Sequence, residues 1–481
     1  MDCTKLICSK NSMIKDVMTC IDNSAKGMAF IVDDDKKLVG VATDGDIRRA
    51  LLNGAGLKEN IKTYMNRNFI YASDPVEAQR IFQQYEWKIK VIPLVDGQMH
   101  IKDYAECNDS QHMALAQPQL NGNEYKYLMD AFLSTWISST GKYVTQFEER
   151  FSKYCGVRYG IATSNGTTAL HLALTALGIG EGDEVIVPDI TFAATVNAVI
   201  YTGATPVIVD IEEDSWCIDP KEIEKAVTPK TKAVIPVHIY GQPCNMEKIS
   251  DIARKYNLYI IEDCAEAHGA EWDGRKVGSF GIISCFSFFG NKVITTGEGG
   301  MCVTNSEELN EKMRILRDHG MSRERKYYHE VVGFNYRMTN LQAAIGLAQL
   351  EHIDEILDWR YSLEEEYQKV FLEIQGVQMQ RNDFKDRKKI AWLVSVLVDE
   401  AKREGVLQKL KENNIDARPF FTPLSEMEIY REYAKNCVVS KRISRMGLNL
   451  PTTYEMNEDK IKRIAVIMND LLCNGKTSEN T

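Results

Sequence analysis

From residue 159 to residue 270 the chain alternates short apolar runs with amphipathic stretches, and no other feature restricts its fold as much. YGIATSNGTTALHLALTAL (159–177) reads as a strand, a Gly/Thr turn and a helix. GEGDEVIVPDITFAATVNAVIYTGATPVIVDI (180–211) gives strand, helix, strand, and AVIPVHIYGQPCNMEKISDIARKYNLYIIEDCAEAHGA (233–270) continues the series. Strands linked through helices pair as a mostly parallel sheet, so an α/β fold is expected. Ligands of open α/β sheets gather at the carboxyl ends of the strands, which is where candidate residues are sought.

Gly166, Thr167 and Thr168 fall at a helix N-terminus, where free N–H groups, the dipole and two hydroxyls suit a phosphate. Phe192 follows the next strand and can stack on a flat ring. Asp263 ends the strand expected at Leu258–Ile261. A carboxylate buried there needs a cationic partner, and a protonated pyridine nitrogen is one. Glu266, three residues on, can reach the same ligand; His238 and His268 read as structural. The stretch SCFSFFGNKVITTGEGGMCVT (284–304) gives a buried strand at Cys285–Phe289, a break at Gly290-Asn291, then Lys292, a flexible Thr295–Gly300 turn and a second strand at Met301–Thr304. Burial lowers the pKa of a lysine and exposes a nucleophilic amine able to hold a carbonyl adduct. A phosphate cup that includes the Ser287 hydroxyl, a ring face, a carboxylate for a ring nitrogen and an amine for an aldehyde carbon are together what pyridoxal 5'-phosphate requires.

Residues 1–108 read as a separate module built from two similar halves. IKDVMTCIDNSAKGMAFIVDDDKKLVGVATDGDIRRALL (14–52) gives a helix, strands at Ala29–Val32 and Leu38–Thr43, and a helix from Asp44, placed as its N-cap, with Asp46 in the first turn. VEAQRIFQQYEWKIKVIPLVDGQMHIKDY (76–104) repeats the order loosely, with a helix before the strand Val91–Val95. Such a repeat implies a pseudo-two-fold unit with a cleft. A linker at 109–120, a large domain at 121–375 and a small C-terminal α+β lobe at 376–481 follow. The lobe carries a strand at Ile390–Val398, a helix at Lys402–Asn413, a strand edge at Asp416–Pro423, a final amphipathic helix and a disordered tail, GKTSENT. A net charge of −10 without a basic tract speaks against nucleic acid and anionic membranes as partners. No run approaches the ~20 apolar residues of a membrane helix. The 12 cysteines show neither CxxC pairs nor metal spacing, so reduced thiols in a cytoplasm and no metal are expected.

TDGDIRRALL and its surroundings resemble a pair of CBS motifs. The resemblance implies an adenine-nucleotide cleft in which Asp46 meets ribose, or a docking module that binds nothing small. From about 118 to 470 the chain resembles the DegT/DnrJ/EryC1/StrS family of sugar-nucleotide aminotransferases. The match rests on SNGTTALHLAL, PDITFAATVNAV, EDCAEAHGA, GSFG, CFSFFGNK, TGEGGM, GFNYRMTNLQAAIG, RPFFTPL and GLNLPT. It implies the fold type I, aspartate-aminotransferase-like architecture and a homodimer with shared active sites. It assigns Lys292 to the covalent hold on pyridoxal phosphate, Asp263 to the ring nitrogen, Thr167, Thr168 and Ser287 to phosphate, and Glu266 to the ring. Asn335 is assigned to the phosphate of the neighbouring subunit; Arg337 is a candidate for the carboxylate of the amino donor, since a guanidinium suits bidentate capture, and Arg418, in a loop that in the family borders the sugar-nucleotide pocket, is a candidate for substrate. Glu266 stands where many relatives have glutamine, Val293 where threonine is usual and Cys264 where alanine is usual. The implied reaction moves an amino group from glutamate to C4 of a 4-keto-6-deoxyhexose nucleotide. GDP-4-keto-6-deoxymannose would give GDP-perosamine, for surface polysaccharide. A UDP-linked keto sugar aminated at C4 or C3, and an inactive nucleotide-sensing scaffold, are the alternatives.

Overall fold

Seven strands make the sheet that the alternation calls for. A computed structural model describes residues 3–74, 77–78, 81–82, 89–106 and 112–473. Its contacts divide the chain into two units, Met1–His112 and Met113–Thr481.

In the first unit β1 (Ile7–Ser9), β2 (Met28–Val32) and β3 (Leu38–Thr43) form one sheet, and β4 (Val91–Val95) pairs with β5 (Ile101–Glu106). The β2–β3 and β4–β5 hairpins lie in the two segments read as similar halves, and both turn through aspartate-led loops at Asp33 and Asp96, whose side chains accept local backbone N–H bonds. The helix Asp44–Leu52 is capped one residue earlier than the sequence suggests: Thr43, not Asp44, is the N-cap. Thr43 keeps an extended backbone and its hydroxyl accepts from the Asp46 N–H, while the Asp46 carboxylate accepts from the Thr43 N–H at 3.0 Å. This reciprocal box, with Arg49 at 2.5 Å, engages the carboxylate that the resemblance offers to a ribose. The helix expected before Val91 falls largely outside the described residues, as do 107–111 and the tail.

In the second unit the sheet contains β6 (Tyr159–Thr163), β7 (Glu184–Pro188), β8 (Thr205–Val209), β9 (Thr231–Val234), β10 (Tyr259–Asp263), β11 (Ile283–Ser287) and β12 (Gly300–Thr304), in the order β6-β12-β11-β10-β9-β7-β8. All pairings are parallel except those of β12, which runs against β11 and β6. The continuous burial of Val185–Val187 and Ile208–Val209 is that of strands covered on both faces. β10 runs two residues beyond the expected Ile261, and so carries Glu262 and Asp263 within the sheet. β11 ends at Ser287, two residues short of the expected Phe289, and the loop bearing Lys292 begins there.

The smaller lobe has a four-stranded antiparallel sheet of Gln378–Met379, Val394–Leu397, Gly447–Leu450 and Arg418–Pro419, covered by the helices Glu400–Glu412 and Glu458–Cys473. Only Val394–Leu397 of the expected Ile390–Val398 run is strand; the preceding residues form a bend that enters the site. The core of the lobe also takes Leu363, Tyr367 and Phe371 from the long helix Ile353–Phe371, and Met113. Met113 pairs with the chain at Asn414–Asp416, and the Leu115 carbonyl accepts from the Thr452 N–H. Part of the segment expected to link domains is therefore structural in this unit. The ten described cysteines that are assigned a state are free thiols. Among the described residues no helix is long and apolar enough to cross a membrane.

Candidate active site

The site is assembled at the carboxyl ends of β10 and β11, beside the N-terminus of the helix Gly166–Ala176. β10 places Glu262 and Asp263 on opposite faces of the sheet, because side chains alternate along a strand. Glu262 is completely buried and acts as an anchor. Its two oxygens accept from the N–H groups of Gly278, Phe280 and Gly281, the Ser284 hydroxyl and His238 Nε2, all between 2.7 and 3.1 Å. His238 Nδ1 accepts from the Cys244 N–H at 3.0 Å, which fixes the tautomer. His238, Glu262 and Cys264 lie close enough to suggest a metal cluster, yet both Glu262 oxygens already accept these bonds, and the two His238 nitrogens are engaged, Nε2 as donor to Glu262 and Nδ1 as acceptor.

Asp263, on the other face, is also buried and has fewer partners. Thr195 donates to it at 2.8 Å and the Ala265 N–H at 3.1 Å. Burial pushes its carboxyl above the usual range; these two donors, Lys292 and His238 oppose the shift only in part. The site thus holds a buried carboxylate bonded directly to neutral donors, a poor arrangement unless a cation arrives.

Lys292 lies in the bend after β11 with its side chain 12% exposed, its Nζ 3.7 Å from Glu266 Oε1. Glu266 is held from behind by the Tyr240 N–H at 2.8 Å. Burial drives the Lys292 amine down and the Glu266 carboxyl up to about 7, while their mutual attraction works against both shifts. A carboxyl raised in the folded state binds its proton more tightly there. Its contribution to stability is complete in acid and is lost as the pH climbs through about 7. Glu266→Gln in the cofactor-free protein is therefore expected to flatten the fall of the melting temperature between pH 5.5 and 8 by a few degrees. An unchanged slope in calorimetry would show that another group titrates. His268, packed among Phe151, Phe286 and Phe288, is pushed down to about 3 by burial and stays neutral.

At the helix N-terminus Asn165 is the cap. Its side chain accepts from the Thr168 N–H at 2.9 Å, and the Thr168 hydroxyl donates back to the Asn165 carbonyl at 2.8 Å. Thr168 is thus spent largely on the cap, while the N–H groups of Gly166 and Thr167, in the first turn, have no intrahelical partner. Gly166 is required by close approach: a Cβ there would lie 2.9 Å from Ser287 Cβ, so the helix end and the Ser287 hydroxyl share one small cradle.

The remaining candidates sit at the margins. Phe192 is 62% exposed and meets Phe421 at 5.9 Å between ring centres. Asn335 is exposed, its amide oxygen accepting from Arg337 at 2.9 Å, and Arg337 also pairs with Asp318 at 2.7 Å. That guanidinium, read as a carboxylate receptor, is thus already engaged. Arg418 is exposed on the edge strand and makes no ion pair among the described residues; Phe421, three residues on, reaches the wall of the site. Thr195, Tyr240 and Trp392 were not singled out from sequence. Thr195 sits inside PDITFAATVNAV, one turn from Phe192, and a hydroxyl at that spacing is the signal that could have found it.

The sequence profile of the DegT/DnrJ/EryC1/StrS aminotransferase family matches residues 118–469, and that of the CBS domain matches 3–53. The chain is 44% identical over 369 residues to the GDP-perosamine synthase of Caulobacter vibrioides, an alignment covering 76% of this chain and 100% of the relative. The structure of DesI, solved in the presence of its TDP-sugar product, is 32% identical and has a TM-score of 0.71 over 76% of this chain and 94% of DesI. The PLP form of Spr1654 from Streptococcus pneumoniae is 25% identical, with a TM-score of 0.71 over 75% of this chain and 98% of that one.

Proposed function

Since the chain belongs to the DegT/DnrJ/EryC1/StrS aminotransferase family, we propose that it uses pyridoxal 5'-phosphate to move the amino group of glutamate to C4 of GDP-4-keto-6-deoxymannose, giving GDP-perosamine. The observation that carries the chemistry is the buried amine of Lys292 beside Glu266, with Asp263 near enough to act on its charge. The residues fit the cofactor. The close approach of the Gly166 helix end to Ser287 sets first-turn N–H groups beside a hydroxyl, a donor set that suits a phosphate, and the cation Asp263 calls for is a pyridinium N–H. When bound, the cofactor supplies an aldehyde for amine exchange and a ring that accepts electrons. Asp263 keeps a proton on the ring nitrogen, held in orientation by Thr195 and the Ala265 N–H. Lys292, once its amine is free, would hold and move a proton at its Nζ as general acid and base. Glu266 stays within reach of that amine and limits how far its charge is lost. The Caulobacter relative, matched over its full length, supports the GDP-linked sugar.

The test is the absorbance of the purified protein. Glutamate should bleach a band near the visible edge, and GDP-4-keto-6-deoxymannose, but not its UDP or TDP counterpart, should restore it. A protein that takes up no pyridoxal phosphate would defeat the reading; restoration by a UDP sugar alone would change the substrate.

The active form we propose is a homodimer. Tyr327 and Val332, 80% and 92% exposed, lie in the loop that leads to Asn335, and Phe132 and Trp136 form a second exposed apolar group. Association through that loop would carry Asn335 toward the phosphate of the second copy. Val332→Asp combined with Tyr327→Asp is expected to give a 54.6 kDa monomer in sedimentation and to lose most activity. A monomeric wild-type protein of full activity would contradict this.

A further inference from the structure

Lys292 meets two walls. One is Glu266. The other is Trp392, whose ring centre is 3.9 Å from the Lys292 Nζ. The indole N–H of Trp392 also donates to the carbonyl of Asn291 at 2.7 Å, so the same side chain grips the loop one residue before the lysine. Trp392 is 4% exposed and comes from the bend that precedes Val394–Leu397, a hundred residues further along the chain. Its backbone is fixed: the carbonyl accepts from Arg360 at 3.0 Å and from the Thr452 hydroxyl at 2.9 Å.

Both walls hang from one turn. Tyr240 and Gly241 have φ of 52° and 87°, left-handed values that a tyrosine adopts only under constraint. The Tyr240 N–H holds Glu266. The Gly241 carbonyl accepts from the Ile390 N–H at 3.1 Å, and a Cβ on Gly241 would lie 1.7 Å from the Ile390 carbonyl oxygen. The turn therefore sets Glu266 on one side of the amine and the 390–392 bend on the other.

We propose that Trp392 is a positioning residue for Lys292: its ring face holds the ammonium whenever the amine is not attached to the cofactor, and its indole N–H fixes the loop that presents it. The proposal rests on the reading of Lys292 as the cofactor-binding amine. A cation over an indole face is favoured over the neutral amine, and this opposes the desolvation that would discharge it. The titratable groups that face Lys292 are Glu266, Asp263 and His268, with Arg360 behind the Trp392 carbonyl.

The test uses the full chain in cofactor-free form, labelled with a short pulse of acetic anhydride across pH and read at Lys292 by peptide mass spectrometry. Trp392→Leu removes the ring face, and the midpoint of Lys292 reactivity is expected to fall by about one pH unit. In the loaded enzyme kcat is expected to drop about tenfold with KM for both substrates nearly unchanged, since an orienting contact is lost and no binding contact. Trp392→Phe keeps a weaker ring face and loses the N–H, so its labelling midpoint should fall by less than that of the Leu variant while kcat falls. A Leu variant with the wild-type midpoint, or a Phe variant with the wild-type kcat, overturns the proposal. If the Leu variant shows no cooperative thermal transition, the Phe variant decides by the same criterion. Borohydride reduction of the loaded wild type separates the premise: a cofactor fixed on a peptide without Lys292 removes the amine reading, and Trp392 with it.

Discussion

Lys292→Ala is expected to leave a folded protein whose turnover is lower by on the order of 10^4-fold, because it removes both the nucleophile and the general acid and base. The side chain is nearly buried, so its loss opens a small cavity but exposes no large surface. What changes most is charge. Glu266, already raised to about 7 by burial, loses the amine that pulls it down and is expected to hold its proton across the neutral range. The cradle at Gly166 and Ser287 and the carboxylate of Asp263 are untouched, so cofactor should still bind, without a covalent hold. Two measurements follow: stopped-flow absorbance after mixing with glutamate, and mass spectrometry after borohydride. A variant that kept the wild-type rate, or that still fixed cofactor on reduction, would remove Lys292 from the mechanism. A Trp392 variant should differ in kind, slowing turnover while leaving the covalent hold intact.

Residues that announce themselves in the sequence are those whose neighbours along the chain already explain them. Lys292 follows a buried strand and a Gly-Asn break, and Asp263 ends an apolar run; each is a polar group where local pattern predicts burial. The mostly parallel sheet was legible for the same reason, since β7, β8 and β10 each read as a short apolar run in an alternation with amphipathic stretches; β9, between β7 and β10, was not read. Glu262, one residue from Asp263, was not separable from it. Its role depends on Gly278, Phe280, Gly281 and Ser284, which return to it only after the following turn. Trp392 is further out of reach, because its partner is a hundred residues away and nothing in IAWLVSVLV distinguishes a core indole from one set over an amine. Arg337 shows the converse. A lone arginine beside a motif invites a ligand, yet Asp318 and Asn335 already surround it. At Thr43 the offset is one residue, because a threonine in extended conformation outcompetes the aspartate after it for the cap. For Glu262 and Trp392 the deciding partner is set by the fold and not by the local run.

Asp263→Asn is expected to separate stability from activity. The carboxyl of Asp263 is raised by burial, so its contribution to the stability of the cofactor-free protein is complete in acid and declines as the pH rises from the ordinary carboxylate range through the raised value. Removing the charge at pH 8 should make the cofactor-free protein as stable as the wild type or more so, and the difference should close as the pH falls toward 4. The amide fits the site. Its oxygen can accept from the Ala265 N–H, and its NH2 can donate to Thr195, whose hydroxyl then turns to Thr191, 2.9 Å away. Activity should move the other way, by on the order of 10^3-fold, since a neutral amide cannot hold a proton on the ring nitrogen. Cofactor should also raise the melting temperature of the variant by less than that of the wild type, because the buried carboxylate gains its cation only when cofactor binds. An equal gain in both, together with near-wild-type turnover, would place the partner of the ring nitrogen elsewhere. A loss of stability at every pH would mean that Thr195 and Ala265 hold the carboxylate for the fold itself. The site would then have been built around a charge the protein needs with or without its cofactor.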